Sequence, residues 1–212
     1  WEEHMKPGST LAVAASAGGD AFRNESYLAL KLKDAIADRF REKTGIRPSV
    51  DTASPDLFFH LRIQNGIAVV SLDISGEALF KRGYRNTGGP APLKENVAAA
   101  VLLRLGWPEL SREGAPLADL FCGSGTFRLD GALIAAGIPP LFLRNKFGFS
   151  KWLGHKEDLL KSLRREAEEQ RKTGQDKIPP LFGFDRDDRA LSAAAGGLKN
   201  AGFLSRARLE AV

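Results

Sequence analysis

The spacing of apolar residues near the start of the chain predicts a strand followed by a helix. Thr10–Ala17 is a run of small and apolar residues that predicts a strand, and Gly18-Gly19 bounds it. Apolar residues then recur at every fourth position from Leu28 to Phe40, which places them on one helix face. Asn24 before this run is a suitable N-cap and Gly45 after it a suitable C-cap, so we expect the helix to lie between them.

Two strands joined by a tight turn are predicted next. Phe58–Ile63 and Ile67–Ile74 are rich in apolar residues and flank Asn65-Gly66. This dipeptide favours a type I′ turn, which requires positive φ at both central positions. The strand, helix and hairpin together predict an α+β layer with one helix face packed on a small sheet. Such a layer could bind a ligand or could only pack against its neighbour.

The second half of the chain alternates strands and helices, as is typical of an α/β fold. Leu117–Phe121 predicts a buried parallel strand, Cys122–Gly125 a glycine turn and Thr126–Ala136 a helix. Ile178–Phe184 predicts the second strand of the same sheet, with Asp185 at its end. The other predicted elements are helices at Pro92–Gly106, His155–Lys172 and Ala190–Ala201 and a strand at Ala207–Val212. The glycine turn and the helix start after it would bring backbone N–H groups close to a ligand.

The glycine turn excludes several ligand classes. A P-loop requires a lysine after its glycines, and none follows Gly123 or Gly125. A dinucleotide fingerprint requires a third glycine where this chain has Arg128, which argues against NAD and FAD. Asp119 would repel a phosphate but would attract a cation or accept from hydroxyl groups. S-adenosylmethionine meets these requirements, because it has a ribose, an ammonium and a sulfonium but no phosphate.

Composition and charge narrow the function further. The 212 residues are 43% apolar, which is enough for a sizeable core, and no apolar run approaches the length of a membrane span. The single cysteine excludes an internal disulfide, which fits a cytoplasmic protein. The net charge of +5 favours a polyanionic partner, although a mildly basic protein without one is an equal alternative. The histidines and the cysteine are scattered, so no metal site is predicted.

Four motifs in order along the chain resemble one family. D-L-F-C-G-S-G-T, from Asp119 to Thr126, resembles motif I of class I methyltransferases, in a form close to that of amino-methylating nucleic-acid enzymes. The other three motifs are K-R-G-Y-R (Lys81–Arg85), A-P-L-K-E-N (Ala91–Asn96) and F-G-F-S-K-W-L-G-H (Phe147–His155). Together they resemble the bacterial THUMP-domain RNA methyltransferases that make N2-methylguanosine in 23S rRNA. The resemblance implies a Rossmann-like fold, S-adenosylmethionine as the cofactor and 23S rRNA as the partner.

The resemblance also implies how the chain is divided. Residues 1–80 would be the C-terminal part of a THUMP RNA-binding domain, an α+β segment. Residues 81–212 would be the N-terminal part of the methyltransferase domain, with an insertion at about 141–176. The Gly/Pro-rich stretch Asn86–Pro92 would connect the two. Because the chain starts at Trp1 without a methionine and stops at Val212, we expect it to be a fragment.

The cofactor-binding residues that the resemblance implies lie in and around motif I and after the second strand. They are Asp119, Cys122, Gly123, Ser124, Gly125, Thr126, Asp185, Asp187, Lys94 and Asn96. Asp119 would bind the ammonium group, and Asp185, or in second place Asp187, the ribose hydroxyls. Cys122 is interpreted as a small turn residue rather than a nucleophile.

A basic and aromatic cluster is the candidate RNA contact. Lys81, Arg82, Tyr84 and Arg85 could grip phosphates and stack a base, whereas the alternative is a solvated basic turn.

The catalytic residues are unknown from this sequence. Enzymes that methylate exocyclic amines share an N-P-P-[YF] motif that binds the target amine, and no N-P-P occurs here. We therefore expect no methyl transfer by these residues alone. Three alternatives remain open: a 5-methyluridine RNA methyltransferase, a DNA adenine-N6 methyltransferase, and a module that binds RNA or cofactor without turnover.

Overall fold

The structure, a computed structural model, describes residues 1–18, 24–85 and 92–212. Gly19, at the predicted end of the first strand, lies outside the described residues, as do residues 86–91, which include most of the predicted connector and the first residue of A-P-L-K-E-N. The chain forms two compact units, one of Trp1–Ala78 with Lys146–Lys156 and one of Leu79–Asn145 with Glu157–Val212. Among the described residues, no helix combines the length and the apolar character needed to cross a membrane.

The first unit is a four-stranded sheet with one long helix. Its elements are β1 (Thr10–Ala17), α1 (Glu25–Thr44), β2 (Ser49–Val50), β3 (Leu57–Gln64) and β4 (Ile67–Leu72). The strand order is β2-β1-β3-β4. β1 runs parallel to β2 and β3, whereas β3 and β4 form an antiparallel hairpin. The core between sheet and helix includes Leu11, Ile36, Phe40, Leu57 and Phe59.

Local sequence signals set the ends of α1 and the hairpin. The side chain of Asn24 accepts a hydrogen bond from the Tyr27 N–H at 2.9 Å, and Gly45 ends the helix with φ of 74°. Asn65 and Gly66 have φ of 52° and 75°, as a type I′ turn requires. The predicted caps and hairpin are confirmed. β2 was not predicted, because two residues show no periodicity.

A segment from the second half of the sequence packs in the first unit. Residues 146–156 belong to this unit, and Trp152 packs against its buried core. The Phe149 N–H donates to the Ile74 carbonyl at 3.1 Å. Only glycine fits at Gly148, because a Cβ there would lie 2.3 Å from the Asp73 carbonyl oxygen. The predicted insertion at 141–176 is thus divided: its aromatic part completes the first unit's core, and the rest lies in the second unit.

The second unit is a three-stranded parallel sheet with helices. The strands, in the order β5-β6-β7, are β5 (Leu117–Asp119), β6 (Leu181–Asp185) and β7 (Ala207–Ala211). The helices are α2 (Glu95–Arg104), α3 (Trp107–Arg112), α4 (Thr126–Ala136), α5 (Glu157–Gly174) and α6 (Asp188–Ala201). α4 and α6 pack on the sheet and on each other.

The motif I helix, α4, lies at the centre of this unit. The spacing of Leu129, Ala132, Leu133 and Ala136 in the sequence places them on one helix face, and all four are buried. A Cβ at Gly131 would lie 2.6 Å from the Leu117 side chain, so this glycine permits close packing of α4 on β5.

The start and the inner face of α2 were predicted incorrectly. The helix begins at Glu95 rather than Pro92, with Lys94 as its N-cap. The apolar spacing of the predicted helix places Val97, Val101, Leu102 and Leu105 on its inner face. Leu102 is buried there with Glu95 and Ala98, whereas Val97, Val101 and Leu105 are exposed. The ion pair of Glu95 with Arg85 holds this face of the helix inward.

The first strand of the sheet is shorter and more exposed than predicted. β5 ends at Asp119, and the next two residues, Leu120 and Phe121, are 62% and 90% exposed. Among the described residues β5 pairs with β6 alone, so the end of this apolar run has no strand beside it on the other side. The prediction of a buried strand over Leu117–Phe121 was wrong for this reason.

Candidate functional site

The turns after β5 and β6 meet at the carboxyl edge of the sheet. The Cys122 N–H donates to the Phe184 carbonyl at 2.9 Å. The Gly123 N–H donates to Asp185 Oδ2 at 2.8 Å, although the two residues are 62 positions apart in sequence. Parallel strands place their carboxyl ends on the same edge, which is where ligands of open α/β sheets bind. The glycine turn and the strand-end acid therefore form one continuous site.

Asp185 is an ionised acid with spare hydrogen-bonding capacity. Its Oδ1 accepts from the Asp187 N–H at 3.0 Å, and its Oδ2 from Gly123. These two backbone N–H groups hold the pKa of Asp185 below its ordinary value. A carboxylate offers about four lone-pair positions, so acceptor sites remain for ligand hydroxyl groups. Asp187 is used differently, since its carboxylate caps α6 by accepting from the Arg189 N–H at 2.9 Å.

The two glycines of the turn serve different purposes. Both have positive φ, 50° at Gly123 and 81° at Gly125. A Cβ at Gly125 would lie 3.0 Å from the Ala194 side chain, so this glycine allows α4 to approach α6. A Cβ at Gly123 would meet nothing within 4 Å, so open space lies beside this residue. Ser124 sits between the two glycines.

Two other motif I residues lie beside this open space. Asp119 ends β5 in a half-buried position, and its Oδ1 accepts from the Phe121 N–H at 3.3 Å. Cys122 is buried, and burial raises the pKa of its thiol, although Arg128 opposes the shift. Because the thiolate is the nucleophilic form, the environment of Cys122 argues against a nucleophilic role.

A buried arginine lies directly beneath the turn. Arg128 is completely buried, and within the described part of the chain none of its side-chain nitrogens makes a hydrogen bond of normal geometry. Burial lowers the pKa of its guanidinium, while Cys122, Asp119 and Asp185 oppose that shift. A Cβ at Gly183 would lie 1.5 Å from Nη1, so Arg128 occupies the space that a side chain in β6 would need. In the sequence Arg128 served only to exclude a dinucleotide fingerprint, and the signal for its buried position is Gly183, the glycine between Phe182 and Phe184 in the second predicted strand.

Two residues of the predicted RNA cluster are tied to α4. The Tyr84 hydroxyl donates to Asp130 Oδ2 at 3.0 Å, and Arg82 Nε pairs with Oδ1 at 3.3 Å. Burial raises the pKa of Asp130 to about 6, although Arg82 and Tyr84 oppose the rise. Tyr84 is completely buried, so the prediction that its ring stacks a base is corrected: neither face is available. Tyr84 therefore serves to bind Asp130 of α4 within the protein.

Arg85 joins α2 to α4. Its Nη1 lies 3.4 Å from Glu95 Oε1, and its Nη2 donates to the Leu93 carbonyl at 2.9 Å and to the Thr126 hydroxyl. Thr126 is buried at the start of α4. Arg82 and Arg85 therefore hold the unit together, whereas Lys81 is exposed.

Lys94 and Asn96 lie at the start of α2, on either side of the buried Glu95. Both side chains are exposed, and the Lys94 ammonium lies 5.5 Å from the centre of the Phe80 ring. In the described part of the chain, no group of His, Cys, Asp and Glu side chains is arranged to hold a metal ion.

Comparison with known families identifies both halves of the chain. Residues 82–211 match the family described as "RMKL-like, methyltransferase domain". The chain belongs to this RMKL-like methyltransferase family. Residues 1–73 of the RMKL-like chain match the THUMP domain. The predicted combination of a THUMP segment with a class I methyltransferase domain is confirmed.

Curated relatives of the RMKL-like chain are named "Ribosomal RNA large subunit methyltransferase K/L". The protein of Pseudomonas aeruginosa is 48% identical over 204 residues, 95% of this chain and 28% of the relative. That of Methylococcus capsulatus is 45% identical over 210 residues, 99% of this chain and 28% of the relative. The chain thus spans about 28% of the length of these relatives.

Two solved structures share the fold of the RMKL-like chain. One, from Listeria monocytogenes, is described as a predicted N6-adenine-specific DNA methylase, with a TM-score of 0.83 and 26% identity. Another is described as a methyltransferase complexed with SAH, with a TM-score of 0.83 and 30% identity. Each match covers 100% of this chain and 54% of the solved one.

Proposed function

We propose that this chain is part of an S-adenosylmethionine-dependent RNA methyltransferase that forms N2-methylguanosine in 23S rRNA. The observation that carries the proposal is the hydrogen bond from Gly123 to Asp185, which joins an open glycine turn to an ionised acid. The relatives' name supports a ribosomal RNA substrate, and the THUMP match supports RNA positioning by the first unit. The solved relative with SAH supports the cofactor.

The residues at the carboxyl edge fit S-adenosylmethionine. Asp185 has acceptor capacity left for ribose hydroxyls, and the half-buried Asp119 suits the ammonium group. The open space at Gly123 allows a ligand to approach the backbone closely.

The chemistry requires alignment more than a strong base. When bound, S-adenosylmethionine supplies a methyl group for direct displacement at its sulfonium carbon. In our proposal Asp119, Gly123 and Asp185 hold and orient the donor, which is how enzymes obtain much of the rate of such reactions. The N-P-P-[YF] motif that would bind the target amine does not occur in this sequence, so these residues do not complete the catalytic centre.

Calorimetric titration of S-adenosylhomocysteine into the protein tests the site. Asp185→Asn keeps the size of the side chain but removes its charge and one acceptor. Hydrogen bonds to a charged group contribute about 1.5–3 kcal/mol, so we expect affinity to fall at least about tenfold. Asp176→Asn is the matched control, because Asp176 is an exposed acid paired with one arginine. Wild-type affinity in Asp185→Asn would contradict the assignment of Asp185.

DNA adenine-N6 methylation is the second candidate, because the Listeria structure is described as an enzyme of that kind. Incubation of the full-length polypeptide with ribosomal RNA and with DNA, followed by nucleoside analysis, distinguishes the two. N2-methylguanosine in RNA would support the proposal, N6-methyladenine in DNA the second candidate, and 5-methyluridine a third class. Binding of S-adenosylhomocysteine without methyl transfer would indicate a binding module.

A further inference from the structure

A concave pocket lies beside the glycine turn, within the second unit. A pocket of about 310 Å³ opens between Ser124 and one face of α6. Arg189, Ser192 and Gly196 line that face, and Arg85 lines the pocket from the segment before α2. The α6 residues are three and four positions apart, so they project from the helix on the same side.

Two guanidinium groups from different parts of the chain meet at this pocket. Arg85 is held in place by Glu95, and among the described residues its buried Nε has no hydrogen-bond partner. Arg189 is the opposite case: its side chain is 94% exposed, and Nε lies 3.4 Å from Asp187 Oδ1. One cation is thus held inside the pocket, and the other, paired with Asp187 through Nε, faces solvent at the pocket rim.

The remaining lining suits an anion that approaches closely. Ser124 and Ser192 supply hydroxyl donors. Ser124 also directly precedes the N-cap of α4, where the first N–H groups of the helix lack intrahelical acceptors and the helix dipole favours negative charge. A Cβ at Gly196 would meet nothing within 4 Å, so this glycine serves no packing contact and keeps the pocket open.

The arginines of this unit differ in how far their charge is used inside the protein. The Arg82 guanidinium is used internally by Asp130, and that of Arg85 is partly neutralised by Glu95. Arg189, which was not among the predicted RNA contacts, is the exposed cation at the pocket rim. An open pocket with a solvent-facing arginine, hydroxyl donors and a helix N-terminus suits a phosphate of an extended polymer.

We propose that this pocket binds a backbone phosphate of the RNA substrate next to the cofactor turn. The inference rests on the proposed function, since it takes RNA as the partner. It assigns Arg189 and Ser192 as RNA-positioning residues, distinct from the ligand-binding role of Asp185.

The test measures RNA affinity as a function of salt. A fluorescein-labelled single-stranded RNA oligonucleotide is titrated with the full-length polypeptide at several KCl concentrations, and anisotropy is recorded. Loss of one phosphate contact lowers the slope of log affinity against log salt by about 0.7. We expect Arg189→Gln to lower the slope by that amount, and Ser192→Asp, which adds a carboxylate to the pocket, to weaken binding further.

Arg112→Gln is the matched control. Arg112 is a similarly exposed arginine, 71% accessible, that pairs with Glu109 on α3 and lies outside the pocket. We expect it to retain the wild-type slope, and Arg189→Gln to retain wild-type affinity for S-adenosylhomocysteine.

Two results would overturn the inference and leave the proposed function standing. Equal RNA affinity and slope for Arg189→Gln and Arg112→Gln would show that no phosphate sits in the pocket. Weakened S-adenosylhomocysteine binding with unchanged RNA binding would show that the pocket holds the cofactor's carboxylate instead. Failure of the unmodified polypeptide to bind either RNA or S-adenosylhomocysteine would instead overturn the proposed function, and the inference with it.

Discussion

The contact between Gly183 and Arg128 allows a quantitative test of the second unit's core. A Cβ at Gly183 would lie 1.5 Å from Nη1 and 2.0 Å from Cζ of Arg128. Because Arg128 is completely buried, its guanidinium has no open space to move into. Overpacking of this kind costs about 1–3 kcal/mol, and replacing a strand glycine by alanine returns about 0.5–1 kcal/mol. We therefore expect Gly183→Ala to lower the free energy of unfolding by about 1–2 kcal/mol.

Removal of Arg128 should reverse this effect. Burial of the Arg128 guanidinium is unfavourable, as its lowered pKa indicates, and apolar replacement of buried charged groups is often neutral or stabilising by about 1–4 kcal/mol. We expect Arg128→Leu to stabilise the unit, and Gly183→Ala to become neutral or favourable in that background. The coupling energy between the two sites should be about 1–3 kcal/mol.

Tryptophan fluorescence during urea unfolding measures this cycle. Trp107 reports on the second unit, since its Nε1 donates to the Gly131 carbonyl at 2.9 Å. Trp1 and Trp152 lie in the first unit, so both are replaced by Phe in all variants. Additive effects of the two substitutions would refute the reasoning, as would a loss of stability in Arg128→Leu.

Three further predictions concern single positions. Burial raises the pKa of Asp130 from 3.8 to about 6. Asp130 therefore contributes stability that is fully present below its pKa in the unfolded state and is lost as the pH rises through its pKa in the folded state. Relative to Asp130→Asn, the wild-type second unit should lose about 3 kcal/mol of stability between about pH 4 and 7, and parallel pH profiles in urea unfolding would contradict this. Gly148→Ala would place a Cβ 2.3 Å from the Asp73 carbonyl oxygen, so the first unit should unfold at a lower temperature. Thermal unfolding followed by Trp fluorescence measures this shift, and an unchanged midpoint would disprove the contact. Asn24→Ala removes the cap on the Tyr27 N–H and should cost about 1 kcal/mol in urea unfolding, with Asn24→Gly costing less.

Sequence alone determined the elements whose signals are local. The caps of α1 at Asn24 and Gly45 and the turn at Asn65-Gly66 depend on residues within a few positions of each other, so their patterns were sufficient. The strand, glycine turn and helix of motif I were identified in the same way. The resemblance to class I methyltransferases predicted Gly123 and Asp185 as site residues, and the structure joins the two by a hydrogen bond.

Only the tertiary structure decided what depends on distant partners. Tyr84 is an exposed aromatic by its sequence neighbours, yet Asp130, 46 positions away, draws its hydroxyl into the core. The inner face of α2 follows from an ion pair rather than from its apolar spacing, because a buried charge must be paired. The buried positions of Arg128 and of Trp152 in the insertion have the same physical reason. Each side chain fills a space left by elements distant in sequence, and no local pattern encodes that space.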